Sequence, residues 1–93
     1  MHRKLLPQIS AALLLAAASS VAAHAESAAA HCASLAKQWD AAKVAKASSP
    51  DLGRAKVWAK SGAHDCARDN ASHQQDGVDE YVKALTLLGV TPH

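Results

Sequence analysis

From Ala28 onward the apolar positions recur at helical spacing. In "SAAAHCASLAKQWDAAKVAKA", Ala28, Cys32, Leu35, Trp39 and Ala42 follow at intervals of four, three, four and three, which lays them on one narrow helix face with Lys37, Asp40 and Lys43 off it. The run ends at "SSPD", where Ser49 suits a helix N-cap, Pro50 the first helical position and Asp51 the positive end of a helix dipole. A tight turn into a second helix is predicted. That helix runs from about Pro50 to Arg68, with Leu52, Ala55, Ala59, Gly62 and Cys66 on one face and Trp58 alongside. "DNASHQQD" breaks the apolar period and reads as a polar loop. Asp76 is then the predicted cap of a third helix, with Asp79 in its first turn and Val78, Tyr81, Val82, Leu85 and Leu88 as its buried stripe; Gly89 suits a left-handed stop and Pro92 lies beyond it. No strand pattern and no phosphate-loop or dinucleotide-type glycine motif is present. The predicted fold class is all-α: a small antiparallel three-helix domain.

A different pattern precedes Ala28. "MHRK" supplies positive charge and "LLPQISAALLLAAASSVA" follows as a mostly apolar run, the layout of a secretory signal peptide. Pro7, Gln8 and the pair Ser19 and Ser20 make the run poor as a full membrane span. It ends in "AHA", whose small residues Ala23 and Ala25 flank the middle position as a signal peptidase requires, so cleavage is expected to leave Glu26 as the new terminus, with cleavage after Ala23 as the alternative. The predicted organisation is a signal peptide over 1–25, forming its own helix, and one domain over 26–93. A periplasmic or secreted location follows, without stable membrane insertion after cleavage.

Removing the leader changes the electrostatics. Arg3 and Lys4 account for the whole formal excess of +2, so the mature chain is balanced and its net charge gives no argument for nucleic acid. What remains is Ala-rich, lacks Phe, and has Trp39, Trp58 and Tyr81 as its only aromatics. A core of this size seldom supplies more than about 3–5 kcal/mol, so a cross-link, a metal or a partner is expected.

Two cysteines are present, Cys32 and Cys66, one on each of the first two helical stripes. With two antiparallel helices joined at "SSPD", Cys32 falls opposite about residue 67, within a residue of Cys66. The same register sets Trp39 over Ala59, and Leu35 near Gly62 or Ala63. Export, an even cysteine count and this register together predict an interhelical Cys32–Cys66 disulfide.

Metal chemistry is the alternative reading of the same segment. His31 precedes Cys32, His64 stands two before Cys66, and His73 and His93 follow, and zinc and copper take such ligands. Residues adjacent on a helix point about 100° apart, so inward cysteines turn His31 and His64 largely away, and no Cys-x-x-Cys or His-x-x-x-His spacing exists. No metal site and no cofactor is therefore expected. For nucleophilic chemistry Cys66 would need a base beside it, and Asp65, Asp69, Asp76 and Asp79 read as solvated helix ends and caps rather than paired catalytic acids. No catalytic residue is expected, and the chain is not read as an enzyme. Lys43, Lys46, Arg54, Lys56 and Lys60 cluster toward the hairpin tip, diluted by Asp40 and Asp51; they read as a solvated face that keeps an alanine-rich helix soluble, or as a short-range contact for anionic lipid, lipopolysaccharide or another acidic surface.

"AKVWAKSGAHDC" followed by "GVDEYVKALTLLGVTP" resembles a single tetratricopeptide-type helix pair, with Trp58 and Gly62 on the first helix and Gly77, Tyr81 and Ala84 at the small, aromatic and alanine positions of the second. The ending also resembles small exported proteobacterial proteins of unassigned function that close in "AL-x-LLGV-x-P". The chain departs from the repeat at Ser61 and Asp65, where bulkier residues are usual, and in a longer segment between the helices. The resemblance implies a non-catalytic interaction or scaffolding module in the periplasm, whose partner is another envelope protein and whose binding surface uses Trp58 and Tyr81. Two other expectations remain open: metal handling through the histidines, and an envelope-stress or acid-responsive chaperone, since His31, His64, His73 and His93 would all gain charge near about pH 5–6.

Overall fold

The computed structural model describes residues 26–93; the predicted leader, its helix and its cleavage site lie outside them. Three helices form: α1 (Ala28–Ala45), α2 (Leu52–Cys66) and α3 (Ala71–Leu87). Among the described residues there is no strand.

Each helix starts where a side chain can take up an otherwise orphaned backbone N–H. The Ser27 hydroxyl accepts from Ala30 N at 3.1 Å and opens α1. At "SSPD" the expected cap is present: Ser49 Oγ accepts from Asp51 N at 3.2 Å, and Leu52 N donates to Ser49 O at 3.2 Å, a tight entry turn from which the α-helix proper begins at Leu52. Asp51 makes no side-chain cap bond and lies 3.4 Å from Arg54 Nη1 instead. The helix stops at Cys66, two residues before the expected Arg68.

The third helix begins earlier than the sequence pattern suggests. Asn70, not Asp76, is its cap, with Oδ1 accepting from Ser72 N at 2.8 Å and from His73 N at 3.2 Å. The stretch read as loop is thus largely the first turn and a half of α3. Its residues Ala71, Ser72, Gln75 and Asp76 are exposed and its half-buried positions, His73 and Gln74, are polar, so the missing apolar period reports a largely solvated helix end rather than the absence of helix. Gln74 strengthens the turn by donating from Nε2 to Arg68 O at 2.8 Å. The exit is as expected. Gly89 has φ +74°, Gly89 N donates to Thr86 O at 2.9 Å and Val90 N to Leu85 O at 3.0 Å, the paired bonds of a Schellman stop. Beyond it the tail is tied to α1 by Gln38, which donates to His93 O at 2.6 Å and accepts from His93 N at 3.0 Å.

The core joins Cys32, Leu35, Trp39 and Ala42 of α1, Ala55 and Ala59 of α2, and Val78, Tyr81, Ala84, Leu85 and Leu88 from α3 and its end. Leu35 and Leu85 are completely enclosed. Ala28, Leu52 and Val82, expected on the buried stripes, are only half-buried, while Ala84 and Gly77 are buried without having been assigned to one.

α3 packs closely on α2 and also on α1, whereas α1 and α2 touch each other far less. The reason is at two glycines. A Cβ placed on Gly77 would stand 2.9 Å from Gly62 O and 2.8 Å from Cys66 N, so the α2 and α3 backbones meet there with no room for a side chain. Gly62 therefore faces Gly77 and the Tyr81 ring, so its closest approach is across α2 and α3. The Trp39–Ala59 level survives: both border the same cleft between α1 and α2.

Candidate functional site

The expected cross-link closes where the hairpin register puts it. Cys32 and Cys66 are bonded with their Cα atoms 5.9 Å apart, at the end of α1 and α2 remote from the "SSPD" turn. Cys32 is buried and Cys66 half-buried, and no cysteine among the described residues is free. Cys32 Sγ also lies 3.3 Å from the Gln74 carbonyl oxygen, so the start of α3 rests on the bridge. All three helices meet at this point.

The two aromatics assigned to one binding surface separate. Trp58 is half-exposed on α2, with the Lys83 ammonium 4.3 Å from its ring centre, and it borders a groove of about 310 Å³ shared with Val82, Thr86 and Leu87. Tyr81 is not on that surface. Only 5% of it is exposed, because α1 packs across α3 and covers the face that a lone helix pair would leave open. Burial, and after it the charge of Asp40, push the Tyr81 phenol above its usual range. A larger cleft, about 470 Å³, lies on the other side of α1 against Val90 and His93; of the candidate site residues read from the sequence it holds only His93.

The histidines do not assemble. His64 is exposed with Nδ1 3.4 Å from Asp65 Oδ1, His31 is half-buried at the start of α1, and His73 is half-buried with Nδ1 enclosed and unpartnered. Among the described residues no three His, Cys, Asp or Glu side chains converge as a metal site would require.

One cluster was not foreseen. Asp65, read from the sequence as a solvated helix end, faces Glu80 across the α2–α3 contact, and Ser61 Oγ donates to Glu80 Oε2 at 2.8 Å. Glu80 Oε1 is enclosed without a protein partner. Burial raises the Glu80 carboxyl above its ordinary range against the opposing Ser61 bond, and the neighbouring Asp65 raises it further. The shared hydrogen bond with Glu80 holds Asp65 below its ordinary range, helped by His64 and Arg68. The two carboxyls are thus displaced in opposite directions, as when two facing acids share one proton. The clue in the sequence was the pair of helix-interior glycines: with Gly62 set against Gly77, Ser61 and Glu80 fall on the same side of the crossing.

This pair sets a pH dependence. A raised carboxyl stabilises the fold while protonated and loses that contribution as pH rises through its folded value; a lowered one stabilises while ionised and loses it as pH falls through its folded value. The contribution of the pair is therefore greatest between the lowered Asp65 and the raised Glu80 values, and at neutral pH the ionised Glu80 is a cost. Glu80→Gln, which keeps an acceptor for Ser61 and supplies a permanent donor to Asp65, should raise the thermal midpoint at neutral pH. The gap to wild type should narrow as pH falls from neutral through the raised Glu80 value. Melting curves of both proteins across that range check it, and a gap that stays constant with pH would contradict the shared proton.

The described helices include none long and apolar enough to cross a membrane. Compared with known proteins, the chain matches no family model, no curated relative and no solved structure, so its function is argued from its own residues.

Proposed function

We propose that the chain is an exported, non-catalytic interaction or scaffolding module that works in the periplasm, held in shape by the Cys32–Cys66 bond, with another envelope protein as its partner. The observation that carries this reading is Trp58. A tryptophan left half-exposed on a helix, with a lysine over its ring and an apolar groove beside it, has the character of an interface anchor rather than a core residue. The tetratricopeptide-like pattern of α2 and α3 points the same way, since that helix pair serves as a recognition unit. The surface is now assigned to Trp58, Val82, Lys83 and Leu87, without Tyr81.

The test uses oxidised protein as bait on envelope extract. Trp58→Ala should lower capture of a discrete partner by roughly tenfold or more, as expected for a tryptophan anchor, while Lys37→Ala on the far side of α1 should retain it. Lys83→Glu, which leaves the ring in place, separates a surface effect from a packing one. Undiminished capture by both Trp58→Ala and Lys83→Glu would remove this face from the interaction. An acid-responsive role is a second reading, favoured by the facing Asp65 and Glu80 carboxyls, one held below and the other above its ordinary range.

A further inference from the structure

Because α3 is wedged against both other helices, α1 and α2 are left with a furrow between them, and it is built of two connected parts. Near the "SSPD" turn a cleft of about 360 Å³ is floored by Trp39 and Tyr81 and edged by Lys43, Lys56 and Lys60, with Asp40 as the one carboxylate on its rim. Toward the disulfide a second, of about 340 Å³, runs between Ala29, Ala33 and Ala36 of α1 and Ala67 at the end of α2. Ala63 and Tyr81 border both. One end is therefore cationic and the other apolar, with an aromatic floor at the junction.

Only one of the three charges at the cationic end is met locally. Lys43 pairs with Asp40 at 3.2 Å, but Lys56 and Lys60 have no carboxylate within ion-pair distance among the described residues. They stand at i and i+4 on one side of α2, an arrangement that costs helix stability through repulsion. An anion seated between them and Lys43 would relieve it.

The disulfide limits what can lie along the apolar part. With the Cα atoms of Cys32 and Cys66 bonded 5.9 Å apart, α1 and α2 cannot open there to admit a third helix, whose own diameter is about 10–12 Å. A hydrocarbon chain, whose carbons approach their neighbours to about 3.5–4.0 Å, fits between walls of alanine. From Cys32 to Lys43 α1 rises about 16 Å, the reach of a long acyl tail.

We propose that the α1–α2 furrow binds a single-chain anionic lipid, with its tail lying over Tyr81 toward the Cys32–Cys66 bond and its head group held by Lys43, Lys56 and Lys60. The site is distinct from the Trp58 surface, which lies on the α2–α3 side. Apolar burial supplies the affinity and the lysines set orientation and charge selectivity.

The test is titration of oxidised Trp58→Phe protein, in which Trp39 is the remaining indole, with hexadecanoate below its micellar concentration. A saturable one-to-one change in Trp39 emission is expected, and native mass spectrometry should show one bound chain. Lys56→Glu combined with Lys60→Glu, both exposed, should weaken binding by roughly tenfold or more, and added salt should weaken wild type in the same direction. Ala63→Leu fills the junction of the two parts and should abolish binding while leaving helicity and melting intact. Butyrate and inorganic phosphate, which carry the charge without the chain, should give no saturable change. Absence of saturable hexadecanoate binding would overturn the proposal. So would equal binding of a hexadecyl ammonium, or undiminished binding by a folded Ala63→Leu protein.

Discussion

Cys66→Ser should lower the thermal midpoint by well over ten degrees. The bond between Cys32 and Cys66 spans 34 positions, and closing a loop of roughly 35 residues restricts the unfolded chain by about 3.8 kcal/mol in the chain-entropy description, with about 2–4 kcal/mol as the working range. For a domain of this size each kcal/mol moves the midpoint by about 4–8 °C. The effect is large because the core is small: among the described residues Leu35 and Leu85 are the only large side chains fully enclosed, and alanines make up much of the rest. The loss is also local. The bridge sits where α1, α2 and the first turn of α3 converge, so without it the Asn70-capped turn loses the surface it rests on. Reductant should lower wild type to the level of the mutant and leave the mutant unchanged. Equal melting of wild type with and without reductant would show that the clamp contributes nothing.

Gly77→Ala should cost nearly as much, by a different mechanism. Ordinarily a glycine inside a helix is improved by alanine, by up to about 1 kcal/mol. Here the added Cβ would stand 2.5 Å from Cys66 Sγ, 2.8 Å from Cys66 N and 2.9 Å from Gly62 O. None of these atoms can swing aside, since two are backbone and the third is held in the disulfide. The helices must part, and overpacking of this kind costs about 1–3 kcal/mol or more, enough to outweigh the propensity gain. We expect a net loss of about 2 kcal/mol and a midpoint lower by roughly ten degrees. Gly53→Ala is the matched control: a Cβ there meets nothing within 4 Å, so it should hold or raise the midpoint. Gly62→Ala falls between, with contacts of 3.1 Å to Gly77 O and to the Tyr81 ring. Chemical denaturation of the three variants orders them, and a Gly77→Ala protein as stable as Gly53→Ala would place the close crossing elsewhere.

Helix number, the Ser49 cap at the "SSPD" turn, the left-handed stop at Gly89 and the cysteine pairing were all legible in the chain, because each depends on residues near in sequence or on a single short turn. Two features were not. The start of α3 was hidden because a solvated helix end has no apolar period, and only Asn70, with its short acceptor side chain, marks it. The way the helices share their faces was hidden too. Hairpin register fixes which residues of α1 and α2 stand level, but not whether they touch, and the third helix changes the answer by fitting Gly77 against Gly62. That one crossing explains three departures from the sequence reading: the enclosure of Tyr81, the meeting of Ser61 and Asp65 with Glu80, and the open furrow between α1 and α2. Of the two aromatics expected to form a binding surface, Trp58 stays half-exposed because it flanks the crossing rather than lying in it.

The central claim, an exported helical domain clamped within its own chain, is tested most directly by the intact mass of protein recovered from the cell envelope and alkylated without reductant. The account predicts the mass of residues 26–93 less two hydrogens, no alkyl group taken up, and two taken up after reduction. A chain that retains residues 1–25, that alkylates at two thiols before reduction, or that appears as a disulfide-linked dimer would contradict it.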